Sequence, residues 1–96
     1  MNAGLVYPHI IEEIRRTCDL HIDGKVPADT LQRIVQQGEQ EIIALEVRDI
    51  RTRLTDVEGK LELIKFTVDI EQQAVETAKV ASDLMEWLTQ RQADQT

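Results

Sequence analysis

From Ile42 to Ile64 the chain reads IIALEVRDIRTRLTDVEGKLELI. Ile43, Val47, Ile50, Leu54, Val57, Leu61 and Ile64 recur there at alternating four- and three-residue intervals, and Val68 continues the row. This is a heptad pattern with Val47, Leu54, Leu61 and Val68 at position a and Ile43, Ile50, Val57 and Ile64 at d. Only a helix keeps such a row on one face, and an apolar row of this kind needs another helix to cover it. Gly59 falls at the outermost position f. It costs about 1 kcal/mol of helix propensity there but removes no side chain from the seam, and the heptad phase runs through it without a slip, so it reads as mid-helix.

Two further stripes flank this one. Leu31, Ile34, Val35, Gly38, Ile42 and Leu45 form an earlier stripe, and Leu63, Phe66, Ile70, Ala74, Ala78, Ala81, Met85 and Leu88 form a later one on nearly the opposite face. The segment from Leu61 to Ile70 is therefore apolar on two sides, as expected of a helix sandwiched in a bundle or offered to a partner. No Pro follows Pro27, which favours continuous or gently broken helix across Asp69. The alternative is a chain reversal there, because Asp69 with Gln72 could form a capping box and the arms 43–68 and 70–92 match in length.

Toward the N-terminus, Pro8 suits a first helical position, and Ile10, Ile11, Ile14 and Cys18 share a face, which predicts a short helix from Pro8 to Asp19. Residues 1–6 have no periodicity and are expected to be loosely held. Asp23-Gly24 marks a turn within residues 20–27, and Asp29 with Gln32 predicts a capping box at the start of the next helix. The expected fold is all-α: a short N-terminal helix and turn (1–26), a long coiled-coil-like helical region (27–92), broken or unbroken near Asp69, and a flexible tail (93–96), assembling as a helical bundle.

Composition limits what such a chain does. It has 96 residues, a formal net charge of −7 and one residue each of Phe, Trp, Tyr and Cys. A lone domain of this size buries little surface, so self-association is expected, as a dimer or a tetramer through the seam Ile43, Val47, Ile50, Leu54, Val57, Leu61, Ile64 and Val68. In a parallel pair, Glu46 would meet Arg51 and Arg53 would meet Glu58, while Lys60 would oppose Lys65; this balance is too small to fix strand orientation. The acidic balance argues against direct contact with nucleic acid or an anionic membrane surface. A single Cys and no leader or spanning run suggest a reduced, cytoplasmic protein.

Residues 69–96 carry six acids and two bases. The partner-binding candidates are thus Leu63, Phe66 and Ile70 on the second apolar face, the acids Glu71, Glu76, Asp83 and Glu86, and Trp87. Glu71 occupies a position where the seam's register would place a d residue. Cys18, His21 and Asp23, with His9, have metal-ligand types but lack the paired spacing of a real site, so no metal and no cofactor are expected. No Ser, His and Asp set and no Gly-rich phosphate loop is present.

Glu46 with Asp49 forms an E-x-x-D pair that resembles half of the carboxylate motif of the all-α nucleotide pyrophosphatases of the MazG type. That resemblance implies magnesium-dependent nucleotide hydrolysis, with an E-E-x-x-E set on an earlier helix. Here Glu12 and Glu13 are followed by Arg16 where the third acid belongs. The expected function is a non-enzymatic helical oligomerisation and interaction module. Its alternatives are a small acidic inhibitor of a basic enzyme, of the immunity-protein or antitoxin type, and the pyrophosphatase.

Overall fold

Pro8 opens the first helix, α1 (Pro8–Ile22), in a computed structural model that describes residues 7–43 and 47–93. The helix runs one turn beyond its predicted end and buries Ile11, Ile14, Thr17, Cys18 and His21 along one stripe. It stops at Asp23-Gly24 as expected. Gly24 adopts φ +76°, its N–H donates to the His21 carbonyl at 3.0 Å, and the Lys25 N–H donates to the Leu20 carbonyl at 2.8 Å. Those crossed bonds satisfy two orphan carbonyls, and the left-handed residue costs little because it is glycine.

α2 (Ala28–Glu41) begins one residue after Pro27, whose carbonyl accepts from the Thr30 and Leu31 N–H groups. The predicted capping box is not formed. Asp29 lies inside the first turn, 3.6 Å from Lys65, and Gln32 hydrogen-bonds Glu62 across the bundle. α3 (Arg48–Thr67) and α4 (Ile70–Ala93) complete the fold.

The long helical region is thus three helices, not one. The first break follows Glu41: Ile42 turns extended (φ −88°, ψ 97°) and is buried, whereas Ile43 points outward, 71% exposed. The second break is the reversal at Val68-Asp69, the alternative that the matched arms offered, in place of the continuous helix. Val68 is extended (φ −103°, ψ 137°), and the Asp69 carbonyl accepts from the Gln72 and Gln73 N–H groups. The Gln73 side-chain amide reaches back to the carbonyls of Lys65 and Val68 at 3.3 and 2.9 Å. This side chain supplies what a C-terminal glycine usually supplies, partners for the last carbonyls of α3. Of the predicted tail (93–96), Ala93 is the last residue of α4, while residues 94–96, together with residues 1–6, Ala44, Leu45 and Glu46, lie outside the described residues.

α1 packs on α2 and α4, and α3 packs on the same two helices, closing a four-helix ring 45 Å long. The shared core holds Ile11, Ile14 and Cys18 of α1, Leu31, Ile34 and Val35 of α2, Ile50, Leu54, Val57 and Leu61 of α3, and Ala81, Leu84 and Leu88 of α4, with Ile42 and Val47 at one end. The heptad row therefore finds its covering helices within its own chain. α1 and α2 approach closely at Gly38; a Cβ there would lie 2.7 Å from the Ile14 Cδ1. Gly59 is mid-helix on the open surface. At the far end of α1, the His21 Nδ1–H donates to the Val26 carbonyl at 2.9 Å and Nε2 faces the Thr77 hydroxyl at 2.7 Å, tying α1, the first turn and α4 together.

Candidate functional site

Eight residues were expected on a seam between copies. Val47, Ile50, Leu54, Val57 and Leu61 are buried in the bundle core, Ile64 and Val68 are half-buried beside it, and Ile43 is outside it. The five core residues are consumed by the fold and offer no surface to a second folded copy. Ile43 instead donates its N–H to the Tyr7 hydroxyl at 3.2 Å.

The second apolar face behaves differently. Leu63, Phe66 and Ile70 are 61%, 75% and 83% exposed, clustered in sequence around the α3–α4 reversal. Leu63 and Phe66 sit one turn apart on the side of α3 opposite its Ile50–Leu54–Val57–Leu61 stripe, so the bundle cannot cover them. Ile70 opens α4, whose buried residues begin only at Thr77. Ionic groups ring this tip: Lys65 reaches Asp29, Lys60 pairs with Asp56 at 3.2 Å, and Asp69 and Glu71 are exposed. The acids farther along α4 are dispersed. Glu76 pairs with Lys79 at 3.2 Å, and Asp83 and Glu86 are exposed.

Trp87 does not join the tip. It lies on the far half of α4 in a trough of about 810 Å³ between α3 and α4, lined by Arg48, Asp49, Thr52, Arg53, Asp56, Trp87 and Arg91. The Arg53 guanidinium lies 4.8 Å from the Trp87 ring centroid. Arg91 grips Asp49 through Nε at 2.5 Å and Nη2 at 3.2 Å. Those hydrogen bonds hold the Asp49 carboxyl below its usual range against the opposing effect of burial, with help from the Arg91 charge and the backbone N–H groups of Ile50 and Asp49. The sequence reading missed this trough. Its visible sign is Arg48 at the first position of a helix, where the dipole disfavours a cation.

A third polar feature joins α2 to α3. Glu39 and Glu58 share a carboxyl–carboxylate hydrogen bond that, with burial and the charges of Glu39 and Glu62, pushes Glu58 up to about 7. Burial also pushes the Cys18 thiol up to about 12, which leaves it a packing group and not a nucleophile. Among the described residues no group of three His, Cys, Asp or Glu could hold a metal ion. Of the pyrophosphatase-like acids, Asp49 is committed to Arg91, Glu12 and Glu13 are exposed on α1 with Arg15 3.6 Å from Glu12, and Glu46 lies outside the described residues. No described helix is long and apolar enough to cross a membrane.

No protein-family model matches the chain, and neither the curated proteins nor the solved structures contain a match to it.

Proposed function

We propose that this protein is a non-enzymatic helical interaction module that associates with a second copy of itself through the α3–α4 tip. The observation that carries this reading is the exposure of Leu63, Phe66 and Ile70 in a chain that buries its other large apolar stripes. Together they present roughly 400 Å² of apolar surface, the scale of the largest patch on an ordinary monomer and one often given to an interface. A standard interface takes about 800 Å² from each partner, of which a little over half is apolar. The patch supplies that apolar share.

Charge supports a like partner. Residues 60–71 carry two bases and three acids, so the tip is close to neutral in a chain of net charge −7. Two tips can meet without stacking like charges, and Lys60 and Lys65 of one copy can lie near Asp69 and Glu71 of the other. The remaining acids repel at long range, and salt screens that repulsion. Self-association is therefore expected to strengthen with ionic strength, whereas capture of a basic enzyme by the acids of α4 would weaken with it.

The test is sedimentation of the purified protein over a range of concentration at low and high salt, alongside Phe66→Glu. The expected result is a dimer favoured by salt, reverting to monomer in the variant with its helical signal intact. A monomer at every concentration and salt would refute the reading, as would a dimer indifferent to Phe66→Glu.

A further inference from the structure

The trough between α3 and α4 lies at the other end of α3 from the tip and is not used by the self-association described above. One of its residues breaks a local rule: Arg48 holds the first position of α3, where the helix dipole disfavours a cation. Positions at which a sequence works against its own local preference are where function is expected.

Side chains of the trough are held in place by their neighbours. The Asp49 carboxylate is gripped by Arg91 at two points, and Asp56 is engaged by Lys60. Among the described residues, neither Arg48 nor Arg53 has an acid within ion-pair reach. Arg53 rests on Trp87, which fixes its planar donor fork before any ligand arrives. The trough is thus a locally cationic site with both of its own acids already occupied, in a protein that is acidic as a whole.

We propose that this trough docks an acidic peptide segment of a partner protein, one carboxylate being taken by the Arg53 fork on its Trp87 platform and a second by Arg48. Arginine binds a carboxylate through two parallel N–H···O bonds, and a pre-set fork loses less entropy in doing so. A nucleotide fits less well, because Arg53 covers the Trp87 face on which a base would stack. The trough also opens to solvent along the helix pair, as an extended chain requires. The molecule's remote acids oppose an acidic ligand, but their field fades over about 8 Å at physiological salt.

Trp87 is the single tryptophan of the chain, so its emission reports the trough directly. The experiment titrates hexaglutamate, hexalysine and inorganic phosphate into the intact protein, following Trp87 fluorescence and the heat of binding. Hexaglutamate is expected to bind saturably and more weakly as salt rises, with hexalysine inert. Arg48→Gln leaves the Arg53–Trp87 stack untouched and is expected to weaken hexaglutamate about tenfold or more, the scale of a lost charged hydrogen bond; Arg53→Gln should do the same by calorimetry. Phe66→Glu should leave this binding unchanged, which separates it from self-association. The proposal is overturned if hexaglutamate does not saturate at low salt, if Arg48→Gln binds as the parent does, or if phosphate alone binds as tightly as the peptide.

Discussion

Two glycines inside helices answer the same substitution with opposite signs. Gly59→Ala adds a methyl on the open surface of α3, with no atom within 4 Å, and recovers about 1 kcal/mol of helix propensity. Gly38→Ala recovers the same propensity but sets a Cβ 2.7 Å from the Ile14 Cδ1 and 3.4 Å from the Ile10 Cγ2 and the Leu54 Cδ1. Carbon atoms prefer roughly 3.5–4.0 Å, so the Ile14 terminal methyl must retreat by about 1 Å. Ile14 is 1% exposed and hemmed in by the core, and such overpacking costs about 1–3 kcal/mol. The expected net loss is about 1 kcal/mol, which separates the two variants by about 2 kcal/mol, or about 10 °C in Tm for a domain of this size. Urea and thermal unfolding followed by circular dichroism measure both. Ile14→Val deletes the crowded Cδ1, so it should cost less in the Gly38→Ala background than in the parent, where it costs about 0.5–1.5 kcal/mol. If Gly38→Ala stabilises the protein as much as Gly59→Ala does, the close approach of α1 and α2 at Gly38 is refuted.

Leu54→Asp buries an unpaired charge in the core and is expected to abolish the helical signal of the monomer itself, whereas Phe66→Glu changes only the mass; circular dichroism with light scattering separates the two. Gln73→Ala removes the amide that satisfies the Lys65 and Val68 carbonyls and should cost about 1 kcal/mol in urea unfolding, with Gln73→Glu no rescue because a carboxylate donates nothing to a carbonyl. Glu58 keeps in the folded state a proton that the unfolded chain releases near its ordinary 4.5, so stability should fall as pH rises from about 4.5 to 7 and level off above. Solvent screening of this partly exposed pair reduces the effect to about 1 kcal/mol, and Glu58→Gln should flatten the slope.

The all-helical class, the turn at Gly24 and the mid-helix place of Gly59 follow directly from periodicity and from glycine's freedom at positive φ. The two later chain breaks do not, because neither uses Gly or Pro. A single extended residue, Ile42 or Val68, ends each helix, and at the second the side chain of Gln73, the fourth residue of the next helix, supplies the missing donor. Asp69 with Gln72 and the matched arms allow a reversal there, but no residue type singles out the Gln73 side chain as its donor. The trough was hidden for a related reason: Arg53 and Trp87 are far apart in sequence, and only the reversal at Val68 brings them face to face.

One sign of the breaks was nonetheless present. Ile42 belongs to the first stripe and Ile43 opens the second, although neighbours on a helix point about 100° apart. A continuous helix would have needed cover on both faces at once; ending α2 at Glu41 lets Ile42 enter the core and leaves Ile43 outside. The same conflict recurs between the second and third stripes, where Leu61 is buried and Leu63, Phe66 and Ile70 are not. A stripe that jumps faces therefore argues for a change of chain direction more strongly than missing Gly and Pro argue against one. A heptad row states that a helix must cover it, but not whose helix. In this chain, two reversals after the first turn bring α2 and α4 onto α3. The apolar surface left for another molecule is the part those reversals fail to cover, and that places the search for a partner at the α3–α4 tip and not along the seam.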